Sequence, residues 1–150
     1  MRFLLKRFNG IFVETRSMYD KMADMGFTNV SVMPNFKPLE IADRKELLVQ
    51  TEKPFALCTF SRVVKEKGIE DAIEAVKNCN IRARHTVFTL DIYGQIGKDQ
   101  KEWFDNLIKE QPASIRYKGC VDFGHSVAVL KHYFALLFPT YYEGECFAGT

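Results

Sequence analysis

The chain has 150 residues, 47% of them apolar and 27% charged, with a net charge of +2. That is enough apolar material for one domain with a sizeable core, and it excludes a disordered or low-complexity chain. So small a positive excess gives no reason to expect nucleic acid as a partner, and any anion site must be a local feature.

Met1 to Phe8 is basic and apolar. Its apolar stretch is too short for a signal peptide and no small-residue cleavage site follows. It is expected to pack on the domain, with docking at a membrane surface as the alternative. Ile11-Phe12-Val13 reads as a short buried strand. Ser17 to Met25 reads as a helix, with Met18, Met22 and Met25 at helical spacing and Gly26 as its C-terminal cap. Val30 to Met33 reads as a second strand, ended by Pro34. Phe36 to Lys53 is charged and aperiodic and reads as a linker.

A regular alternation follows. Phe55 to Phe60 is an almost wholly apolar strand. Ile69 to Asn78 is a helix with Ile69, Ile73 and Val76 on one side. Thr86 to Tyr93 is a strand closed by Gly94. Asp99 to Lys109 is a helix with Asp99 as N-cap and Trp103, Leu107 and Ile108 inward. Ile115 to Lys118 is a strand closed by Gly119, Ser126 to Tyr133 a helix, and Ala135 to Phe138 a strand. Strands and helices joined by short loops predict an α/β fold, a Rossmann-like parallel sheet with helices on both faces. Ligands of such sheets bind beyond the carboxyl ends of the strands, so the loops after Phe60, Tyr93, Lys118 and Phe138 are where function is expected. The last residues leave one side of the sheet without the helix such a domain would place there, so the chain is expected to be a fragment of something longer.

Cys58, Cys79, Cys120 and Cys146 are widely spaced, with no CxxC pair, and are expected to be reduced thiols and not zinc ligands. No apolar run approaches the roughly 20 residues that span a bilayer. HExxH, GxSxG and Walker A patterns are absent. The three histidines do not cluster. His125, after Gly124, is a cleft candidate, and His132 reads as structural.

Three loops carry candidate chemistry. In Ser61-Arg62-Val63-Val64-Lys65-Glu66-Lys67-Gly68, cations at the end of a strand adjoin the start of a helix, an arrangement that attracts phosphate, and Gly68 would let a ligand near the backbone. Spacing alone does not separate this from a solvated charged run. Tyr93-Gly94-Gln95-Ile96-Gly97 is a weak glycine-rich loop or a plain turn. Glu143-Gly144-Glu145-Cys146-Phe147-Ala148-Gly149 places two acids and several amides beyond the last strand, fit for sugar hydroxyls and a diphosphate, or an exposed acidic turn.

Taken in order, these loops resemble glycosyltransferase family 4. Ser61-Arg62 followed by Lys67-Gly68 resembles its arginine and lysine-glycine pair. Asp91-Ile92-Tyr93-Gly94 and Tyr117-Lys118-Gly119 resemble its next two strand-glycine steps, the second leading through Cys120 to a base-binding loop. Pro139-Thr140 and Glu145-Cys146-Phe147-Ala148-Gly149 resemble the start of its EX7E motif, and Val32-Met33-Pro34-Asn35 its interdomain crossover. The resemblance covers nearly the whole chain.

It implies a GT-B enzyme that transfers a sugar with retention from a UDP- or GDP-sugar, without metal or other cofactor. Arg62 and Lys67 would neutralise the leaving diphosphate. Glu145 would be the catalytic acid at the transferred sugar. Ser61, Gly94, Gly119, Cys120, Glu143, Cys146, Phe147, Ala148 and Gly149 would complete the donor site. Residues 1–34 would end an N-terminal acceptor domain and 35–150 would be the truncated C-terminal donor domain. The acceptor, a glycan or a lipid-linked glycan, would meet the missing half. The full-length enzyme would be cytoplasmic, with peripheral membrane association as an expectation, and would serve polysaccharide, glycolipid or glycoprotein synthesis. The isolated chain would be inactive, because the second acid of EX7E falls beyond Thr150. Ala148 also departs from the family, which has glycine there, and Glu143 competes with Glu145 for the first acid's role. A nucleotide- or phosphate-binding module without transferase chemistry and a GT-B-like sugar-nucleotide epimerase are the alternative functions.

Overall fold

A computed structural model describes residues 2–34, 41, 43–47, 51–122 and 124–141. These residues form two compact units, one within 2–34 and one within 41–141.

The first unit begins with α1 (Arg2–Leu5), then β1 (Ile11–Val13), α2 (Arg16–Asp24) and β2 (Val30–Val32). The two strands pair in parallel, Ile11 opposite Val30. Parallel neighbours need a crossover, which α2 supplies. Thr15 caps α2 by accepting from the Met18 amide at 3.1 Å, and Gly26 takes the left-handed conformation that ends it. Val13, Phe27 and Val30 form a small core, with Leu5, Tyr19 and Met22 against it. Met22 therefore faces inward, while Met18 and Met25 are exposed. The N-terminal segment packs in part. Asn29 Nδ2 donates to the carbonyls of Leu5 (3.3 Å) and Phe8 (2.7 Å), yet Phe3, Leu4 and Phe8 remain exposed.

The second unit has a 3₁₀ turn at Arg44–Glu46, then β3 (Phe55–Phe60), a 3₁₀ turn at Lys65–Lys67, α3 (Ile69–Ala83), β4 (Phe88–Tyr93), a 3₁₀ turn at Lys98–Gln100, α4 (Lys101–Lys109), β5 (Ile115–Gly119), α5 (Ser126–Leu130) and β6 (Ala135–Leu136). All pairings are parallel and the strand order is β5-β4-β3-β6. This is an α/β Rossmann-like fold. The chain steps from β3 outward to β5, then returns to lay β6 on the far side of β3. The order thus reverses between β3 and β6, and the switch point lies beyond their carboxyl ends. Right-handed crossovers put α3 and α4 on one face and α5 on the other.

On the first face Leu57, Leu90, Ile92 and Ile115 meet Ile69, Ala72, Ile73 and Val76 of α3 and Phe104 of α4. Phe104 is fully buried and is the centre of α4's contact, whereas Trp103, Leu107 and Ile108 flank it partly buried.

Several element boundaries differ from the sequence expectation for local reasons. Asp99 is not the N-cap of α4. Residues 98–100 form a 3₁₀ turn, and Gln100 occupies the cap position without a capping bond. Instead Gln100 Oε1 accepts from the Lys65 amide at 2.7 Å. β4 starts at Phe88 because the Asn80 side chain accepts from the amides of Val87 and Phe88 (2.8 and 2.9 Å). The same contact draws α3 on past Asn78 to Ala83. α5 stops at Leu130, three residues early, and Tyr133 turns toward the sheet. β6 is shorter than expected, pairing only with Leu57 and Cys58 at the edge.

Candidate functional site

The exits of β3 and β4 are joined through their backbones. The Ser61 amide donates to the Tyr93 carbonyl at 3.2 Å. The Val63 amide donates to the Gln95 carbonyl at 2.9 Å, and the Gly97 amide to the Val63 carbonyl at 3.1 Å. A Cβ on Gly94 (φ +135°) would collide with the Ser61 carbonyl. Glycine is needed there for the approach of neighbouring protein backbone. The Gly94 amide donates to the Gly119 carbonyl at 2.9 Å and the Tyr117 hydroxyl to the Gly94 carbonyl at 2.8 Å, which brings in the exit of β5. Cys120, the next residue, is exposed.

Gly68 (φ +65°) follows the same logic and corrects an expectation. A Cβ there would strike the Pro139 carbonyl. The space that the sequence suggests for a ligand is filled by the exit of β6. The start of α3 is also less inviting to an anion than expected, because Glu70 and Asp71 occupy its first turn.

The three cations of the β3 exit are sorted by the fold. The Lys65 ammonium lies 5.6 Å from the Trp103 ring centroid, toward α4. Lys67 is half-buried, its ammonium 5.5 Å from the Phe138 ring centroid, at the switch point. Arg62 is exposed and lines a groove of about 360 Å³ with Val64 and residues 95–100. The Ser61 hydroxyl is engaged by the Arg62 carbonyl at 3.2 Å. A larger depression of about 560 Å³ is lined by mixed charges between Lys98 and Asn106 and reaches no strand end, so we assign it no chemistry.

A polar cluster that the sequence does not bring together sits on the α5 face. Asp91 is 6% exposed. Arg116 Nε and Nη2 donate to its two oxygens at 2.9 and 3.3 Å. The Tyr133 hydroxyl donates to Oδ2 at 2.7 Å and accepts from the Tyr93 hydroxyl at 2.8 Å. Burial and these bonds push the Tyr133 phenol well above its usual range. Burial, with Asp91 beside it, pushes the Cys58 thiol up to about 12. Asp91 and Tyr93 stand together in the Asp91-Ile92-Tyr93-Gly94 stretch, but nothing in the sequence ties them to Arg116 and Tyr133.

His125 is exposed at the start of α5, and His85 Nδ1 contacts the Ala83 carbonyl at 2.8 Å. Among the described residues no group of three His, Cys, Asp or Glu side chains is placed to share a metal ion. Glu143, Glu145, Cys146, Phe147, Ala148 and Gly149 lie outside the described residues.

No family model matches the chain, and no curated protein does. Solved structures do. The structure of a mutant of S. aureus TarM in complex with fondaparinux, alpha-GlcNAc-glycerol and UDP is similar at a TM-score of 0.69 and 20% identity, over 89% of this chain and 26% of that one. A second structure of TarM is similar at a TM-score of 0.71 and 19% identity, over 96% of this chain and 28% of that one. At such identities the likeness establishes the fold. The chain spans about a quarter of the length of these proteins.

Proposed function

We propose that this chain is the nucleotide-sugar-binding part of a glycosyltransferase of the GT-B type. The observation that carries the reading is the switch point, where the exits of β3 and β6 meet and the Lys67 ammonium lies over the Phe138 ring. A doubly wound sheet offers its ligand site at such a point. Arg62 stands exposed on the same loop, at the groove it lines with residues 95–100. Two cations on one loop suit a diphosphate, and they would stabilise the charge that develops as it leaves. The likeness in fold to TarM, one structure of which holds UDP, supports a nucleotide as the occupant.

The finer parts of the reading rest on the family 4 resemblance. They are retention of configuration, a UDP- or GDP-sugar donor, independence of metal, and Glu145 as the acid at the sugar. The same resemblance supports residues 1–34 as the end of an acceptor domain and residues 35–150 as the donor domain. A glycan acceptor, free or lipid-linked, would then meet an acceptor domain mostly outside this chain. The wide spacing of the cysteines, with no CxxC pair, suits a cytoplasmic compartment.

Calorimetric titration of UDP, GDP and ADP tests the site. One nucleoside diphosphate should bind, and both Arg62→Ala and Lys67→Ala should weaken it at least about tenfold, as expected for a lost charge-assisted contact. Equal binding by the wild type and both variants would sink the reading.

A further inference from the structure

Four consecutive residues leaving β6 all engage the segment that carries Lys67. The Phe138 ring lies under the Lys67 ammonium. The Pro139 carbonyl occupies the space beside Gly68. Thr140 Oγ1 and the Tyr141 amide both donate to the Glu66 carbonyl, at 3.3 and 2.9 Å. The Tyr141 hydroxyl donates to Asp71 Oδ2 on the first turn of α3, at 2.7 Å. Lys67 is thus held between two neighbours, Glu66 and Gly68, that are each fixed by the β6 exit.

We propose that Tyr141 and Asp71 are positioning residues for Lys67, a latch that closes the β6 exit over the start of α3 and fixes where the ammonium meets a diphosphate. The inference rests on the donor-site reading. Its geometry follows from two facts of the fold. The backbone around Lys67 is a single 3₁₀ turn between Val64 and Gly68. The Glu66 carbonyl on that turn accepts two bonds from the β6 exit, and the Tyr141–Asp71 bond ties the same exit to α3 itself. Asp71 also serves the helix, since a carboxylate in the first turn is favoured by the dipole. Its ionised form is the better acceptor, and the Tyr141 phenol is raised above its usual value first by that bond. Neither residue need touch the ligand.

The distinguishing readout is the difference between a ligand with phosphates and one without. Tyr141→Phe removes one hydroxyl and keeps the ring. It should weaken UDP, or whichever diphosphate binds best, about fivefold. The matching nucleoside should bind the variant as it binds the wild type. Asp71→Asn should act in the same direction, and the double variant should be no weaker than the worse single one, since both break one contact. Hydrogen exchange at the Tyr141 amide should quicken in Tyr141→Phe without nucleotide present. Asp105→Asn, in an exposed pair with Lys101 on α4, serves as the control that changes nothing. Unchanged exchange, or equal effects on diphosphate and nucleoside, or additive effects of the two substitutions, overturns the latch while the donor site stands. Failure of the wild type to bind any of UDP, GDP and ADP overturns the donor site and the latch's role with it.

Discussion

The carbonyl of Pro139 sits where a side chain on Gly68 would have to be. Two loops distant in sequence therefore meet backbone to backbone at the switch point, and the contact tolerates nothing larger than hydrogen. Gly68→Ala would suffer twice, from the collision and from a left-handed φ of +65°. A loss of more than about 1 kcal/mol is expected, read as a lower urea midpoint, together with weaker nucleotide binding. Gly119→Ala is the comparison, since it carries a similar φ of +81° but no atom lies within 4 Å of its would-be Cβ. It should cost less, and a loss equal to that of Gly68→Ala would show that backbone strain alone is at work.

Tyr133 holds the return crossover to the sheet through Asp91 and Tyr93. Tyr133→Phe leaves Asp91 with Arg116 and strips Tyr93 of its acceptor. The expected cost is about 1–3 kcal/mol, because the partners left behind are largely buried. Chemical denaturation measures it, and a change within about 0.5 kcal/mol, the range of an ordinary surface substitution, would contradict a buried network.

Cys58 is fully buried, its thiol pushed up to about 12 by desolvation and by Asp91. At pH 8 an alkylating reagent should modify Cys79 and Cys120, both exposed, and spare Cys58 until the chain unfolds. Intact and peptide mass spectra read this directly. The linkage has a definite sign. The folded state keeps the thiol proton that the unfolded state gives up from about pH 9, so the contribution is full below that pH and is lost as pH rises toward 12. The raised Tyr133 phenol acts in the same direction. Stability should fall through this alkaline range, less steeply in Cys58→Ala, and an unchanged slope would contradict it.

Phe104→Ala should be the costliest truncation on α4, about 3–5 kcal/mol for a fully buried ring. Trp103→Ala should cost less, since that ring is only partly buried and its Nε1 bonds Glu70 at 2.7 Å near solvent. A reversed order in thermal or urea unfolding would show that Trp103, and not Phe104, anchors the helix.

Much of the fold was legible because strand and helix periodicities are local. Phe55 to Phe60 reads as a strand from its apolar run, and Ile69, Ile73 and Val76 mark α3's buried side at helical spacing. Trp103 draws attention away from Phe104, since composition ranks side chains by size and only packing tells which one joins Ile115 and Ile92 in the core. The early end of α5 was illegible for a related reason. Nothing near Tyr133 in sequence announces that its hydroxyl has a buried carboxylate to reach on β4.

The site divides in the same way. A loop with Arg62, Lys65 and Lys67 after an apolar strand can be read from residue types and order. Which cation faces the switch point, and what each glycine makes room for, were decided only when the strands took the order β5-β4-β3-β6. Gly68 looks like space for a ligand and is space for Pro139. Lys67 looks like one of three solvated cations, and of the three it is the one that lies over Phe138. Local sequence determines which groups a strand end carries. Their partners are set by contacts such as that of Tyr141 with Asp71, 70 residues apart in the chain, because a parallel sheet joins strand ends that the sequence keeps far from one another.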